Sequence, residues 1–205
     1  MVLATLLLGV VPSALAEPIQ HLGLIFSDEE GGFRLLSVTG TGTLDDPITV
    51  VEEVTDPKRH IILVIRGFGR GFGNRVGTQH LTAFAMRKIV RNRSDRTWRN
   101  YQMELREVST RRSPYTDGLS FGQNSTLGEA YPASSFPHLQ RYDEPEDSLG
   151  FSGSEVAPGA EADFRFIISD MSPVSQFYLV QIPLEPLSFG PPGMPGKIDW
   201  AGVAP

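Results

Sequence analysis

Short apolar stretches separated by turn-forming residues are the feature that most limits how this chain can fold. The 205 residues include 21 Gly and 16 Pro, and at this density long uninterrupted helices are not expected. Apolar residues still make up 40% of the chain, which is enough for a hydrophobic core and excludes a disordered polymer. The sequence therefore predicts an all-β fold.

Strand predictions come from runs that alternate apolar and polar residues or that are rich in β-branched residues. In 81–108 the apolar residues fall on even positions and then on odd positions, which predicts two long strands joined as a hairpin by the turn 92–95. Residues 109–160 carry many turn formers, so we expect a long irregular excursion there. The predicted strands are 21–26, 33–38, 48–54, 60–65, the two arms of 81–108, the short strand 119–121, 164–168 and 177–182.

About eight strands with no convincing helix predict two antiparallel sheets packed face to face. The fold class is therefore a two-sheet antiparallel β-sandwich, immunoglobulin-like or jelly-roll-like, formed by a single domain over 17–186. Pro191, Pro192 and Pro195 follow this domain. Since proline cannot continue a sheet, 187–205 is expected to form a flexible C-terminal tail.

The first 16 residues resemble an export signal. An apolar run at 2–11 is broken by Pro12 and Ser13, and Ala14-Leu15-Ala16 fits the small-x-small cleavage pattern. No Lys or Arg precedes the run, which departs from the usual signal peptide. The run is too short for a stable membrane anchor, so no transmembrane anchor is expected after cleavage. The chain has no cysteine, and we expect an exported bacterial protein, periplasmic or extracellular.

Charge is segregated along the chain. Residues 58–112 carry fourteen basic and three acidic residues, and the rest of the chain carries four basic and 21 acidic residues. The interpretation that we favour is cross-strand pairing with acidic segments such as Glu52, Glu53 and the turn 143–147. The alternative is a basic face for an anionic partner. With a net charge of −6, nucleic acid is a poor candidate for that partner. The candidate basic face consists of Arg87, Arg91, Arg93, Arg96 and Arg99.

No motif indicates a catalytic residue, a metal site or a cofactor. The basic, Gly-rich segment 66–75 lacks the Lys-Ser/Thr ending of a phosphate-binding loop. We expect it to be an inter-strand loop anchored by Phe68 and Phe72. The four histidines have no ligand-pair spacing, and without cysteine a thiolate metal site is excluded.

Two stretches resemble exported bacterial β-sandwich proteins of uncharacterised function. One is Gly-Thr-Gly-Thr-Leu-Asp-Asp-Pro at 40–47, and the other runs over 90–121 with Trp98, Tyr101 and the sequence Asp-Gly-Leu-Ser-Phe at its end. The resemblance implies a β-sandwich fold but no activity, and it identifies no functional residue. Trp98 is expected to fill the core.

These observations predict a non-enzymatic, exported interaction module acting at a surface, matrix or envelope, with a glycan or another extracellular protein as partner. A carbohydrate-binding module is the specific alternative, because aromatic rings pack on sugar faces and planar polar groups bind hydroxyls. A hydrolase is a third possibility, and it would need His80 or His138 to meet Asp117 or Asp143 in one cleft. The candidate binding residues are Tyr115, Asp117, Asn124, Tyr131, Arg141 and Tyr142.

Overall fold

The computed structural model describes residues 17–57, 61–122, 133–142 and 147–184. The predicted signal peptide and the predicted tail lie outside these ranges. No helix within them is long and apolar enough to cross a membrane. The strands of the described ranges are β1 (Ile19–His21), β2 (Leu24–Ser27), β3 (Phe33–Thr39), β4 (Ile48–Val54), β5 (Ile61–Arg66), β6 (Thr82–Asn92), β7 (Trp98–Arg106), β8 (Leu119–Phe121), β9 (Ala133–Ser134), β10 (His138–Tyr142), β11 (Ser148–Val156), β12 (Glu161–Asp170) and β13 (Gln176–Leu184).

These strands form two sheets, which confirms the predicted β-sandwich. One sheet has seven strands in the order β1-β2-β5-β13-β7-β11-β10, and the other has the order β3-β4-β6-β12-β8 with β9 also paired to β12. Every strand pair among the described residues is antiparallel except β4 with β6, which is parallel. The second sheet is therefore mixed.

The core lies between the two sheets and is built by alternation along the strands. In β6 the even-numbered apolar residues are buried, and in β7 the odd-numbered ones are buried, because side chains alternate across a strand. Rings from both sheets meet there: Tyr101 of β7 packs against Phe164 of β12 with their centroids 4.7 Å apart. Trp98 is fully buried, as the sequence predicts.

The predicted hairpin over 81–108 is wrong in its pairing, although both strands exist. β6 pairs with β4 and β12, whereas β7 pairs with β13 and β11 in the other sheet. The connection crosses between the sheets, and the Asn92 side chain holds it by donating to the Arg96 carbonyl at 2.6 Å and accepting from the Ser94 backbone N–H at 3.0 Å. This crossing brings the apolar faces of both strands into one core.

Two other boundaries differ from the sequence prediction. The strand predicted at 21–26 is divided into β1 and β2, because Leu22 and Gly23 have positive φ angles of 52° and 84° and form a turn. The excursion predicted over 109–160 contains β9, β10 and the nine-residue β11 besides the short strand β8. Glycine and serine alternate with the apolar residues of β11, and these small residues have a low strand propensity.

Candidate functional site

A groove lies on the outer face of the seven-stranded sheet, across β7, β11 and β10. Its volume is about 370 Å³, near the lower end of the range typical of small-ligand sites, about 300–1,000 Å³. Leu184 at the end of β13 contributes an apolar wall. The polar side chains that line it are those of Asn100, Gln102, Gln140, Tyr142, Ser148 and Ser152.

Strand register places these side chains in three rows. Asn100 is opposite Ser152, and Ser148 is opposite Tyr142. In the middle row Gly150 pairs with Gln102 on one side and with Gln140 on the other. All of these positions are even-numbered, and in β7 and β11 the odd positions, such as Tyr101 and Phe151, are buried in the core, so the side chains project away from the sandwich.

Gly150 forms the floor of the groove. Adjacent strands lie about 4.8 Å apart, so the backbones that carry the two glutamines are separated by about 10 Å. A Cβ atom built on Gly150 would have its nearest contacts at 3.7 Å from the Gln140 carbonyl oxygen and 3.9 Å from Cε2 of Tyr142. These are ordinary van der Waals distances. The strip between the two amide side chains is therefore open space, which a larger residue could occupy without a backbone clash.

The groove carries no formal charge on the described residues that line it. Glu104 continues the row of Ser148, but it is buried and accepts two hydrogen bonds from Arg106, at 2.7 and 3.0 Å. That bidentate pair neutralises the carboxylate. Such a surface can bind an uncharged ligand that both donates and accepts hydrogen bonds.

Tyr142 is the predicted binding residue that lies in the groove, where its side chain is 43% exposed. Arg141 does not join it. The guanidinium of Arg141 donates to the carbonyls of Phe121 at 2.5 Å and Gly122 at 3.0 Å, so it connects β10 to the end of β8 in the other sheet. Its role in the described structure is to join the two sheets.

The other predicted binding residues are elsewhere. Asp117 ends a short 3-10 helix that begins at Tyr115, and its side chain lines a separate cavity of about 110 Å³. Asn124 and Tyr131 lie outside the described residues. The described part of the chain therefore brings only Tyr142 of the predicted set into the groove.

The cavity beside Asp117, one of the two acidic residues that the hydrolase hypothesis names, is also lined by Glu107. Burial raises the pKa of Glu107, and the charges of Asp117 and Asp170 raise it further. Burial also raises the pKa of Asp170, although the backbone N–H groups of Ser172 and Val174 donate to its carboxylate.

His80 lies close enough to this acidic cluster to lower the pKa of Asp170 electrostatically. Its Nδ1 atom is buried and has no hydrogen-bond partner among the described residues. His138 is on the exposed strand β10, and Asp143 lies outside the described residues. No group of three His, Asp or Glu residues in the described ranges can hold a metal ion. Among the described residues, Asp117 accepts from the Leu119 backbone N–H and its other carboxylate oxygen has no partner, so neither histidine is hydrogen-bonded to it.

The five arginines of the candidate basic face each have a carboxylate within 4 Å. On the outer face of the second sheet, Glu53 lies between Arg34 and Arg91, and Glu161 lies on the far side of Arg91. Charges therefore alternate across four strands. The pairs and their N–O distances are Arg87–Asp163 (2.5 Å), Arg91–Glu161 (2.6 Å), Arg93–Glu53 (3.0 Å), Arg96–Asp95 (3.8 Å) and Arg99–Glu155 (2.7 Å).

No protein-family model, curated protein or solved structure was found to match the chain. The groove itself was missed by sequence reasoning because β11 was not recognised as a strand. Once 148–156 is assigned as a strand, uncharged polar or small residues alternate with Leu149 and Phe151. The same alternation occurs in β7, where Asn100 and Gln102 flank Tyr101. That shared lack of charge on the outward positions is the signal that could have located the groove.

Proposed function

We propose that the protein is a non-enzymatic recognition module that binds a neutral saccharide in the groove across β7, β11 and β10. The observation that carries this proposal is the open strip at Gly150, which lies between the amides of Gln102 and Gln140 and beside the exposed ring of Tyr142. Amide and hydroxyl side chains can donate to and accept from sugar hydroxyls. The tyrosine ring offers an apolar face together with a polar tip.

The composition of the groove favours binding over catalysis. Its described lining contains no carboxylate, imidazole or amine, the groups that most often carry general acid–base chemistry. The same neutrality favours an uncharged saccharide over an acidic one. The signal-like segment at 1–16 supports a location outside the cytoplasm, where such ligands are abundant.

The decisive experiment compares the wild-type protein with Gly150→Gln. The added side chain occupies the open strip, and its Cβ meets no atom closer than 3.7 Å, so the fold should be preserved. Binding to immobilised neutral and acidic polysaccharides is measured at several salt concentrations. The wild-type protein should bind a neutral polysaccharide with little dependence on salt, and Gly150→Gln should weaken that binding at least about tenfold, or about 1.4 kcal/mol.

Gly71→Gln is the matched control, because Gly71 lies outside the groove in the loop 67–81 and a Cβ there would meet nothing within 4 Å. This variant should bind as the wild-type protein does. Gln102→Ala removes one amide and should weaken binding about fivefold, the effect of one hydrogen bond worth about 1 kcal/mol. Binding that Gly150→Gln leaves unchanged, or no binding to any neutral polysaccharide, would refute the proposal.

A further inference from the structure

A lysine and a glutamate contact each other inside the sandwich. Nζ of Lys88 in β6 lies 2.6 Å from Oε2 of Glu52 in β4, and both side chains are 0% exposed. The two strands are parallel neighbours, and both side chains project into the space between the sheets. Phe164 is opposite Lys88 in the sheet, so the pair is surrounded by core residues.

The surrounding core offers few polar partners to the charged forms of these two side chains. A lysine ammonium has three donors, and the carboxylate of Glu52 accepts one of them. The other oxygen of that carboxylate, Oε1, is buried and has no hydrogen-bond partner among the described residues. Separated charges in such a place carry a large desolvation cost that a single hydrogen bond does not offset.

Burial lowers the pKa of Lys88, which favours the uncharged amine. Tyr101 approaches Glu52 from the opposite sheet: burial raises the pKa of Tyr101, and the nearby negative charge of Glu52 adds to that increase. Since the phenol is neutral, it supplies no counter-charge for an ammonium. The uncharged amine of Lys88 is therefore favoured beside the Glu52 carboxyl group.

We propose that Lys88 and Glu52 condense to an intramolecular amide that covalently joins β6 to β4. The lone pair of the Nζ amine adds to Cδ of the Glu52 carboxyl group and forms the new N–C bond. One C–O bond of that group then breaks, and its oxygen leaves as water with the proton that Lys88 loses on becoming an amine and one further proton from Nζ. No atom is oxidised or reduced, and no co-reactant is needed.

The geometry and the medium both assist this reaction. The nitrogen is held 2.6 Å from a carboxyl oxygen, an atom bonded to the carboxyl carbon, and such fixed positioning replaces a bimolecular encounter. The core also excludes bulk water, which limits hydrolysis of the product. The chain has no cysteine and therefore cannot form a disulfide. An amide between neighbouring strands would supply a covalent brace of another kind.

Tryptic digestion of the denatured full chain followed by mass spectrometry tests the proposal. Trypsin cleaves after lysine only when the amine is free, so an acylated Lys88 stays uncleaved within the peptide 88–91. We expect that peptide to be joined to the peptide 35–58, which contains Glu52, with a mass equal to their sum less one water. Recovery of the peptide 35–58 as a separate species, together with the peptide 89–91 that cleavage after a free Lys88 releases, would overturn the proposal.

Two variants supply controls. Glu53→Gln changes the next residue, which lies on the outer face and pairs with Arg34 and Arg93, so the joined peptide should persist. The double variant Lys88→Met/Glu52→Leu replaces the pair by apolar side chains and should lack it. Loss of a covalent brace should also lower the unfolding midpoint of the double variant. An ordinary buried ion pair predicts the opposite, because apolar replacements of such pairs are commonly neutral or stabilising.

Discussion

At the scale of single residues, one hydroxyl contributes a hydrogen bond at the centre of the core. Tyr101 donates to Oε1 of Gln181 at 3.0 Å, and both residues are fully buried. The amide nitrogen of Gln181 has no partner among the described residues, so this hydrogen bond is the one that compensates for burying the glutamine.

Tyr101→Phe removes that donor and leaves a second polar atom of Gln181 without a partner. The expected loss of stability is about 1–3 kcal/mol, the cost of an unsatisfied buried group, measured by urea unfolding. Tyr142→Phe is the matched control, since its side chain is exposed and should change stability by less than about 0.5 kcal/mol. Equal effects of the two substitutions would contradict this account.

Glycines of the loop after β5 differ sharply in what they tolerate. Gly67 has a φ angle of 87°, and its Cβ would lie 2.4 Å from the carbonyl oxygen of Gly23, whereas a Cβ on Gly69 would meet nothing within 4 Å. Gly67→Ala should destabilise the protein by more than about 1 kcal/mol, and Gly69→Ala should be neutral or stabilise it by up to about 1 kcal/mol. Thermal unfolding of both variants measures this contrast, and a well-tolerated Gly67→Ala would show that the turn is not fixed as described.

At the scale of elements, sequence reasoning identified most strands but not their partners. Alternation shows which side of a strand faces the core, and this placed β6 and β7 correctly. It carries no information on which strand lies alongside, since pairing depends on contacts between distant segments. The cross-sheet turn at Asn92 became visible only through its side-chain hydrogen bonds. The resemblance to exported β-sandwich proteins also remains a prediction, because no match was found that could test it.

Asp170, the last residue of β12, makes the stability of the folded protein depend on pH, and the direction of its pKa shift gives the sign of that dependence. Burial holds the pKa of Asp170 above its usual value, so the folded state binds this proton more readily than the unfolded state. The resulting stability is fully present below the unfolded pKa and is lost as pH rises through the folded pKa. The stability of the wild-type protein relative to the non-titrating Asp170→Asn should therefore increase as pH is lowered from about 7 to about 4.

Glu53→Gln supplies a comparison of opposite sign. Hydrogen bonds from Arg34 and Arg93 lower the pKa of Glu53, so its contribution is present above the unfolded pKa and is lost as pH falls through the folded pKa. The advantage of the wild-type protein over this variant should shrink on acidification. Unfolding free energies of the three proteins across the same pH series measure both trends, and a pH-independent difference for Asp170→Asn would contradict the assignment.

At the scale of the whole molecule, the groove illustrates what a sequence does not display. Its lining combines the consecutive strands β10 and β11 with β7 and the end of β13, which are distant in sequence and become neighbours in the folded sheet. Gly150 forms its floor and leaves the strip open because it has no side chain. Tyr142 was identified from its residue type, but Asn100, Gln102 and Gln140 have no local motif. A site defined by open space between neutral side chains becomes recognisable only once the strands are aligned.

The charge segregation of the chain leads to a prediction for the whole molecule. Each arginine of the candidate basic face has a carboxylate within 4 Å, contributed mainly by neighbouring strands. Positive and negative charges therefore alternate on the folded surface, although they are segregated along the sequence. The local field should be too weak to concentrate anions, and such exposed pairs add little to stability, about 0–1 kcal/mol each.

We expect the protein to pass through a heparin column with little retention at low salt. Glu161→Gln combined with Asp163→Asn removes the partners of Arg91 and Arg87 and should produce measurable retention that added salt abolishes. Strong retention of the wild-type protein would instead favour an anion-binding face.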